Sequence, residues 1–364
     1  MLENRRVHDR EVKVFKDRPH TVGELFFSSL TKYPDKEVIV TENDRETYKE
    51  MGDKVSTIAT NLKKEFGVKK GDRVSLLLSN RPEFIHVTVA CSLIGAVIVP
   101  LNTRLSSQEL KYMINHSESK ILISEDEFID SVLSIRDELS IDLSLIFTNA
   151  EGSNRGFQNA FTLYTGELPL CSEWETSVNE EDPFFIMYTS GTTGQPKGAI
   201  GSHLSVVHSA LSYKEVMKTN NSAKTLIAVP LFHVTGFIGQ LIHMLLVGGT
   251  SVIMPRYQTE KYIKLLHREK ATFLFNVPTI YIMLLSHPLF KKYTFDFVET
   301  IAYGGAPMSY ETIQRLRGAI PGVRLHNAYG ATETSSPTTI MPVKYSDDKL
   351  VLSAFLFREV KSRS

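Results

Sequence analysis

The stretch Thr189-Ser-Gly-Thr-Thr-Gly-Gln-Pro-Lys-Gly198 gathers hydroxyls, glycines and one lysine in a pattern suited to holding a polyphosphate. Gly191, Gly194 and Gly198 permit positive φ and let a ligand approach the backbone closely. Consecutive N–H groups in such a loop form an anion-binding concavity. Thr189, Ser190, Thr192 and Thr193 add hydroxyl donors, and Lys197 adds a point charge suited to phosphate. The loop departs from the Walker A pattern, because Pro196 rather than Gly precedes the lysine and Gly198 rather than Ser or Thr follows it. The apolar run Phe184 to Tyr188 ahead of it reads as a buried strand that stops at the loop.

Two more glycine-bearing stretches carry residues with chemistry. One is Ile301-Ala-Tyr-Gly304-Gly305-Ala306-Pro307, and the other is Leu325-His-Asn327-Ala328-Tyr329-Gly330-Ala-Thr332-Glu333-Thr334. Both read as strand ends, and ligands of open α/β sheets bind beyond the carboxyl ends of the strands. Gly304 and Gly305 clear side chains from a surface where a flat base could lie. Tyr329 offers a ring for stacking, and Asn327 an amide for an exocyclic amine. Thr332 supplies a hydroxyl for a reacting phosphate or carboxylate, and Glu333 is a hard oxygen ligand suited to Mg²⁺. His233, in Phe232-His-Val-Thr-Gly236, taken alone reads as a satisfied core imidazole.

The elements that must position these residues follow the hydrophobic periodicity. The pattern predicts helices over 21–33, 47–66, 81–95 and 107–116, with strands at Glu37–Thr41, Gly71–Leu78, Ala96–Asn102 and Lys120–Ser124. Pro82 suits the first turn of its helix. Beyond the loop, Ser202 is a plausible cap for a helix to about 217. A strand at 226–230, a turn and strand over 248–254 and a strand at 271–276 then alternate with helices at 259–269 and 278–286. Strands alternating with helices imply parallel sheets built from βαβ units, one in each half of the chain. His86 and His116 read as surface or satisfied helix histidines, and residues 1–20 as a polar surface arm.

Size and charge narrow the function. At 364 residues the chain exceeds a typical single domain. Its 41 basic and 41 acidic residues give no net charge, so a polyanionic partner such as nucleic acid is not expected. Two cysteines, Cys91 and Cys171, fit a reducing cytoplasm rather than a disulfide framework. The charged start does not suit a secretory signal, and the apolar run Val87–Leu101 is too short to span a membrane. The expectation is a cytoplasmic protein with no membrane-spanning segment; its oligomeric state is open.

The 189–198 loop closely resembles the phosphate-loop signature of adenylate-forming enzymes, which include acyl-CoA synthetases, luciferases and peptide-synthetase adenylation domains. The Tyr-Gly-x-Thr-Glu run at 329–333 is similar to a second motif of that family, in the family's order, and Gly95–Asn102 to a third. The resemblance implies ATP-dependent activation of a carboxylic acid, with a fatty acid expected, to an acyl-adenylate and then to a thioester with CoA. It implies nucleotide contacts at Thr189–Gly194, Lys197, Gly304–Pro307, Asn327–Gly330 and Thr332. Thr189 and Glu333 would hold Mg²⁺, Thr332 would meet the α-phosphate, and His233 with Gly304–Pro307 would border the acyl channel. Thr189, Lys197, His233, Thr332 and Glu333 are the expected catalytic set.

The implied fold class is α/β, with two parallel-sheet subdomains of the family's N-terminal domain over residues 21–350. The family's ribose-binding Asp, hinge Arg and C-terminal adenylation Lys have no counterpart after Glu333. A third subdomain and the C-terminal lid domain are therefore expected to be missing. Residues 351–364 depart from the family's pattern. One suitable back-translation, read one base earlier, yields a family-like sequence, so the tail is expected to be out of frame. Two other readings stay open: a silent fragment or module that binds ATP or acyl-adenylate, and adenylation of an aromatic acid or for a carrier-protein thiol.

Overall fold

A computed structural model of the chain describes residues 2–7, 9–139, 144–148, 157–166, 177–189 and 194–342. The tail at 351–364, Trp174 and most of the connecting region 149–182 lie outside the described residues.

The early strands are β1 (Leu2–Val7), β2 (Arg10–Phe15), β3 (Glu37–Val40), β4 (Arg45–Thr47), β5 (Arg73–Leu77) and β6 (Val97–Pro100). Then come β7 (Ser119–Ser124), β8 (Ser144–Phe147), β9 (Gln158–Asn159), β10 (Pro183–Thr189) and β11 (Lys197–Ser202). The last six are β12 (Lys224–Ile227), β13 (Thr250–Ile253), β14 (Phe273–Asn276), β15 (Thr300–Gly304), β16 (Arg324–Ala331) and β17 (Ser336–Ile340). The helices begin with α1 (Val22–Lys32), α2 (Tyr48–Lys64), α3 (Pro82–Ile94), α4 (Ser107–Ser117), α5 (Ile129–Leu133) and α6 (Phe161–Tyr164). They continue with α7 (His203–Met217), α8 (His243–Val247), α9 (Thr259–Glu269), α10 (Pro278–Ser286) and α11 (Tyr310–Ala319).

The chain divides into two units, one of residues 1–30 and 48–207 and the other of 31–47 and 208–364. The first unit is built on a seven-stranded sheet in the order β11-β10-β6-β5-β7-β8-β9, parallel except for the β10–β11 pair. Its central strands carry runs of buried apolar residues, as in Val74, Leu76, Ile121, Leu122 and Ile123, the pattern of a parallel sheet covered on both faces. Leu122 packs in one cluster with Val99, Leu110, Ile114, Phe147 and Phe157. Each such side chain contributes about 1.5–3 kcal/mol over leaving it in water. α4 begins with a reciprocal cap, in which the Ser106 hydroxyl accepts from the Glu109 amide and the Glu109 carboxylate accepts from the Ser106 amide.

The second unit holds an eight-stranded sheet in the order β17-β16-β15-β14-β12-β13-β3-β4, parallel at its centre with one antiparallel pair at each edge. Sequence order alone would place Glu37–Val40 in the first sheet. It instead pairs parallel with β13, Ser251 opposite Ile39 and Val252 opposite Val40. Val38, Ile39 and Val40 are buried, and only a strand covered on both faces accommodates three consecutive apolar residues. Two apolar clusters fill this unit, one around Tyr262, Leu274, Ile301 and Leu325 and the other around Tyr213, Phe273 and Phe275.

Residues 1–20 are not a simple polar arm. β1 and β2 pair as an antiparallel hairpin, and Arg18 behind it is buried against Glu180. Charged side chains along both strands hide this hairpin from a hydrophobic-pattern reading.

Candidate functional site

In the first unit the strands on either side of the 189–198 stretch pair as a β-hairpin. β10 does not simply end; the chain returns antiparallel as β11, with Tyr188 opposite Gly198 and Thr189 opposite Lys197. Thr189 and Lys197 thus face each other across the hairpin mouth, the threonine half-buried and the lysine exposed. Ser190, Gly191, Thr192 and Thr193 lie outside the described residues. Gly194 has φ +94°, a conformation that favours glycine. β11 escapes a sequence reading because Lys-Gly-Ala-Ile-Gly-Ser has two glycines and no clean alternation. The helix after it matches expectation: α7 starts at His203, and the Ser202 hydroxyl accepts from the Ser205 amide at 3.2 Å.

In the second unit the two glycine-bearing stretches lie side by side. β15 and β16 run parallel, with Tyr303 opposite Asn327 and Gly304 opposite Ala328. Both strands therefore deliver their carboxyl ends to the same edge of the sheet. Gly305, Ala306 and Pro307 are exposed there, as are Tyr329, Gly330 and Glu333, while Thr332 is half-buried. The Tyr329 ring is 54% exposed, which leaves a face open for stacking. Asn327 shares a face of β16 with Tyr329 but is only 3% exposed, so in this structure its amide lies inside the unit.

The backbone around Glu333 is strained. Ser335 and Ser336 both have positive φ, 52° and 91°. Such non-glycine residues cost roughly 1–3 kcal/mol each and cluster at functional sites. The Thr334 hydroxyl holds the turn, accepting from the Ala331 amide at 3.1 Å and lying 3.1 Å from the Ser336 carbonyl. A Cβ on Gly330 would stand 1.7 Å from that same carbonyl oxygen, so no larger residue fits. Glycine is legible at 330 from the sequence; the strained serines that require it are not.

His233 is exposed, which removes the core-imidazole alternative. Its carbonyl accepts from the Phe237 amide at 2.9 Å, at the entrance to a π-helix over Thr235–Ile242. π-Helical segments are rare and recur at functional sites. The buried imidazoles are others. His243 lies between the Thr219 hydroxyl, 2.6 Å from Nε2, and the Gly239 carbonyl, 3.3 Å from Nδ1, and burial lowers its pKa to about 3. His203 and His326 are each lowered to about 4, chiefly by burial, and each has a buried Nε2 with no hydrogen-bond partner among the described residues. These three are neutral near pH 7. His86 and His116 are satisfied, by the hydroxyls of Tyr164 at 3.0 Å and Tyr188 at 2.8 Å.

Among the described residues no group of three or more His, Cys, Asp or Glu could cage a metal ion. Glu333 is an exposed carboxylate at a strand end. That donor set suits Mg²⁺, which is bound by one or two carboxylates together with substrate phosphates rather than by an all-protein cage. No helix among the described residues is long and apolar enough to cross a membrane.

The mixed α/β fold with parallel-centred sheets agrees with what comparison with known proteins shows. The family model described as AMP-binding enzyme matches residues 26–354, and the chain belongs to that family. It is 30% identical over 318 residues to a 2-succinylbenzoate–CoA ligase of Bacillus licheniformis, covering 87% of this chain and 61% of that one. It is 28% identical over 339 residues to a 4-hydroxybutyrate–CoA ligase of Metallosphaera sedula, covering 90% and 60%. The crystal structure of a long-chain-fatty-acid–CoA ligase from Archaeoglobus fulgidus superposes with a TM-score of 0.83 at 21% identity, over 93% of this chain and 69% of that one. The chain spans about three fifths of the length of the curated relatives it matches.

Proposed function

We propose that this chain carries the acid-activating chemistry of an acid–CoA ligase. In the first half-reaction a carboxylate oxygen attacks the α-phosphorus of ATP. The bond from that phosphorus to the bridging oxygen breaks, and pyrophosphate leaves an acyl-adenylate behind. In the second, a CoA thiol attacks the acyl carbon as thiolate and AMP departs. The protein's part in the first step is to position reactants and neutralise charge.

The observation that carries this reading is the placement of two independent motifs at strand ends, Thr189 with Lys197 at the mouth of one hairpin and Tyr329 to Glu333 beside Gly304 to Pro307. Lys197 and the hydroxyls from Thr189 to Thr193 hold the leaving phosphates. Tyr329 stacks on the base, and Thr332 donates to the α-phosphate. Thr189 and Glu333 are the residues that would hold Mg²⁺, which would further neutralise phosphate charge. His233, with the half-buried Phe232 and Val234 on either side, borders the acyl group, and this apolar neighbourhood supports a hydrophobic acid.

The test is ATP–pyrophosphate exchange and thioester release over a panel of fatty, aromatic and hydroxy acids, with wild type and Lys197→Ala. Exchange that needs Lys197 supports the reading, and the acid that drives it names the substrate. Exchange without thioester marks a chain competent in the first half-reaction alone. Exchange with thioester on a carrier protein but not on CoA corrects the acceptor. Neither exchange nor ATP binding sinks the reading in favour of a silent fragment.

A further inference from the structure

Helix α4 grips both arms of the hairpin that carries Thr189 and Lys197. The Tyr112 hydroxyl donates to the Pro196 carbonyl at 3.2 Å, on the arm that continues into Lys197. On the other arm, the Tyr188 hydroxyl donates to the Met113 carbonyl at 3.2 Å. The same hydroxyl is hydrogen-bonded to Nδ1 of His116 at 2.8 Å. The His116 ring stacks on Tyr112, centroids 5.3 Å apart and planes at 25°, and meets Tyr188 edge-on at 5.7 Å. Tyr112 and His116 stand four residues apart on one helix and so share a face. The result is a continuous line of contacts, Pro196–Tyr112–His116–Tyr188, from one arm of the hairpin to the other.

Packing accounts for the Tyr188 ring, which lies against the core of the first unit. It does not account for a phenol hydroxyl on the Pro196 carbonyl or for an exposed imidazole hydrogen-bonded to Tyr188. The Pro196 carbonyl belongs to the peptide that carries the Lys197 N–H, so holding that oxygen orients the backbone from which the lysine projects. We infer that Tyr112, His116 and Tyr188 are positioning residues that clamp the two arms to α4 and fix the place of Lys197 relative to Thr189. The inference rests on the reading of Lys197 as a ligand for the ATP phosphates. The Tyr188 phenol is pushed up to about 12, mainly by burial, and keeps its proton at any working pH.

The experiment compares MgATP and AMP affinities by calorimetry on the full chain for wild type, Lys197→Ala, Tyr112→Phe and His116→Ala. Tyr112→Phe keeps the ring and its stacking and deletes only the hydroxyl, so the fold is preserved. Loss of one such hydrogen bond should weaken ATP by about three- to tenfold. AMP, which lacks the leaving phosphates, should bind Tyr112→Phe as it binds wild type. His116→Ala should show the same split, because the Tyr188 end of the line loses its hydrogen-bond partner. Unchanged ATP affinity in Tyr112→Phe and His116→Ala, with a loss in Lys197→Ala, overturns the clamp and leaves the phosphate reading standing. Equal losses for ATP and AMP also overturn it, since they report general loosening. Unchanged ATP affinity in Lys197→Ala, or no ATP binding by wild type, removes the phosphate reading and the clamp with it.

Discussion

Gly201 and Phe185 are cross-strand partners in the β10–β11 hairpin, and a Cβ on Gly201 would lie 2.1 Å from the edge of the Phe185 ring. The ring is fully buried and has nowhere to move. Gly201→Ala should therefore destabilise the first unit by about 1–3 kcal/mol through overpacking. Urea unfolding of Gly201→Ala, and of Gly201→Ala combined with Phe185→Leu, checks this. The double variant should recover part of the loss, and equal stability of wild type and Gly201→Ala would show that the hairpin yields freely.

Arg18 clasps Glu180 with two hydrogen bonds, Nε and Nη2 each 2.9 Å from a carboxylate oxygen, and both side chains are buried. Burial alone would raise the Glu180 pKa. The hydrogen bonds and charge of Arg18, joined by the charge of Arg5, outweigh burial and hold the carboxyl below its ordinary range. A depressed carboxyl contributes stability that is complete above its unfolded pKa and lost as pH falls through the folded one. The clasp should thus weaken below about pH 4.5, its usual value. Arg18→Met should cost about 3 kcal/mol at pH 7 by stranding a buried charge, and Arg18→Met with Glu180→Leu should regain most of it. Denaturant titrations at pH 7 and pH 4 test both statements.

The buried histidines set a separate and earlier acid transition. His326 donates from Nδ1 to the Met341 carbonyl at 2.9 Å, and burial lowers its pKa to about 4. For a histidine held neutral, stability is complete above the unfolded pKa of 6.5 and declines as pH falls toward the folded value. At pH 5 the loss should be about 2 kcal/mol. His326→Asn keeps a donor for Met341 and cannot titrate in this range. Its stability between pH 7 and pH 5 should fall less than that of wild type, by following the midpoint of urea unfolding at each pH. Parallel curves would remove His326 from the transition.

Much of this organisation was legible in the chain. The amphipathic helices at 22–32, 48–64 and 107–117 each bury a face that the sequence displays, and the helix at 82–94, buried nearly all round, follows from its apolar run and Pro82. What escaped has identifiable physics. β11 is built from small residues whose place is dictated by Phe185 and Tyr188 across the hairpin, a non-local constraint. Glu37–Val40 reads as a strand, but the sheet it joins is chosen by β13, more than two hundred residues later. Of the expected site residues, Gly304 and Ala328 come together because β15 and β16 pair in register, which spacing alone cannot give. The clamp of Tyr112 and His116 was invisible because it depends on which helix covers the hairpin.

Gly330 marks where the sheet bends to deliver Thr332 and Glu333. The β16–β17 pairing shifts register between Tyr329 and Gly330, and the Ser336 carbonyl passes where a Cβ at 330 would stand. Ser336 itself sits at φ 91°, so the bend is strained on one strand and relieved by glycine on the other. Gly330→Ala must displace β17 or unpair it, and the displaced backbone carries the Thr334 hydroxyl bonds that hold the turn. ATP binding should fall at least tenfold in Gly330→Ala, with a loss of about 2–4 kcal/mol in stability. Ser336→Gly should act in the opposite direction, gaining about 1 kcal/mol by removing the strained φ, with ATP affinity retained. If Ser336→Gly stabilises the chain but weakens ATP binding, the strain itself helps to hold Thr332 and Glu333 in place. Calorimetric melting together with ATP titration of the two variants separates these outcomes.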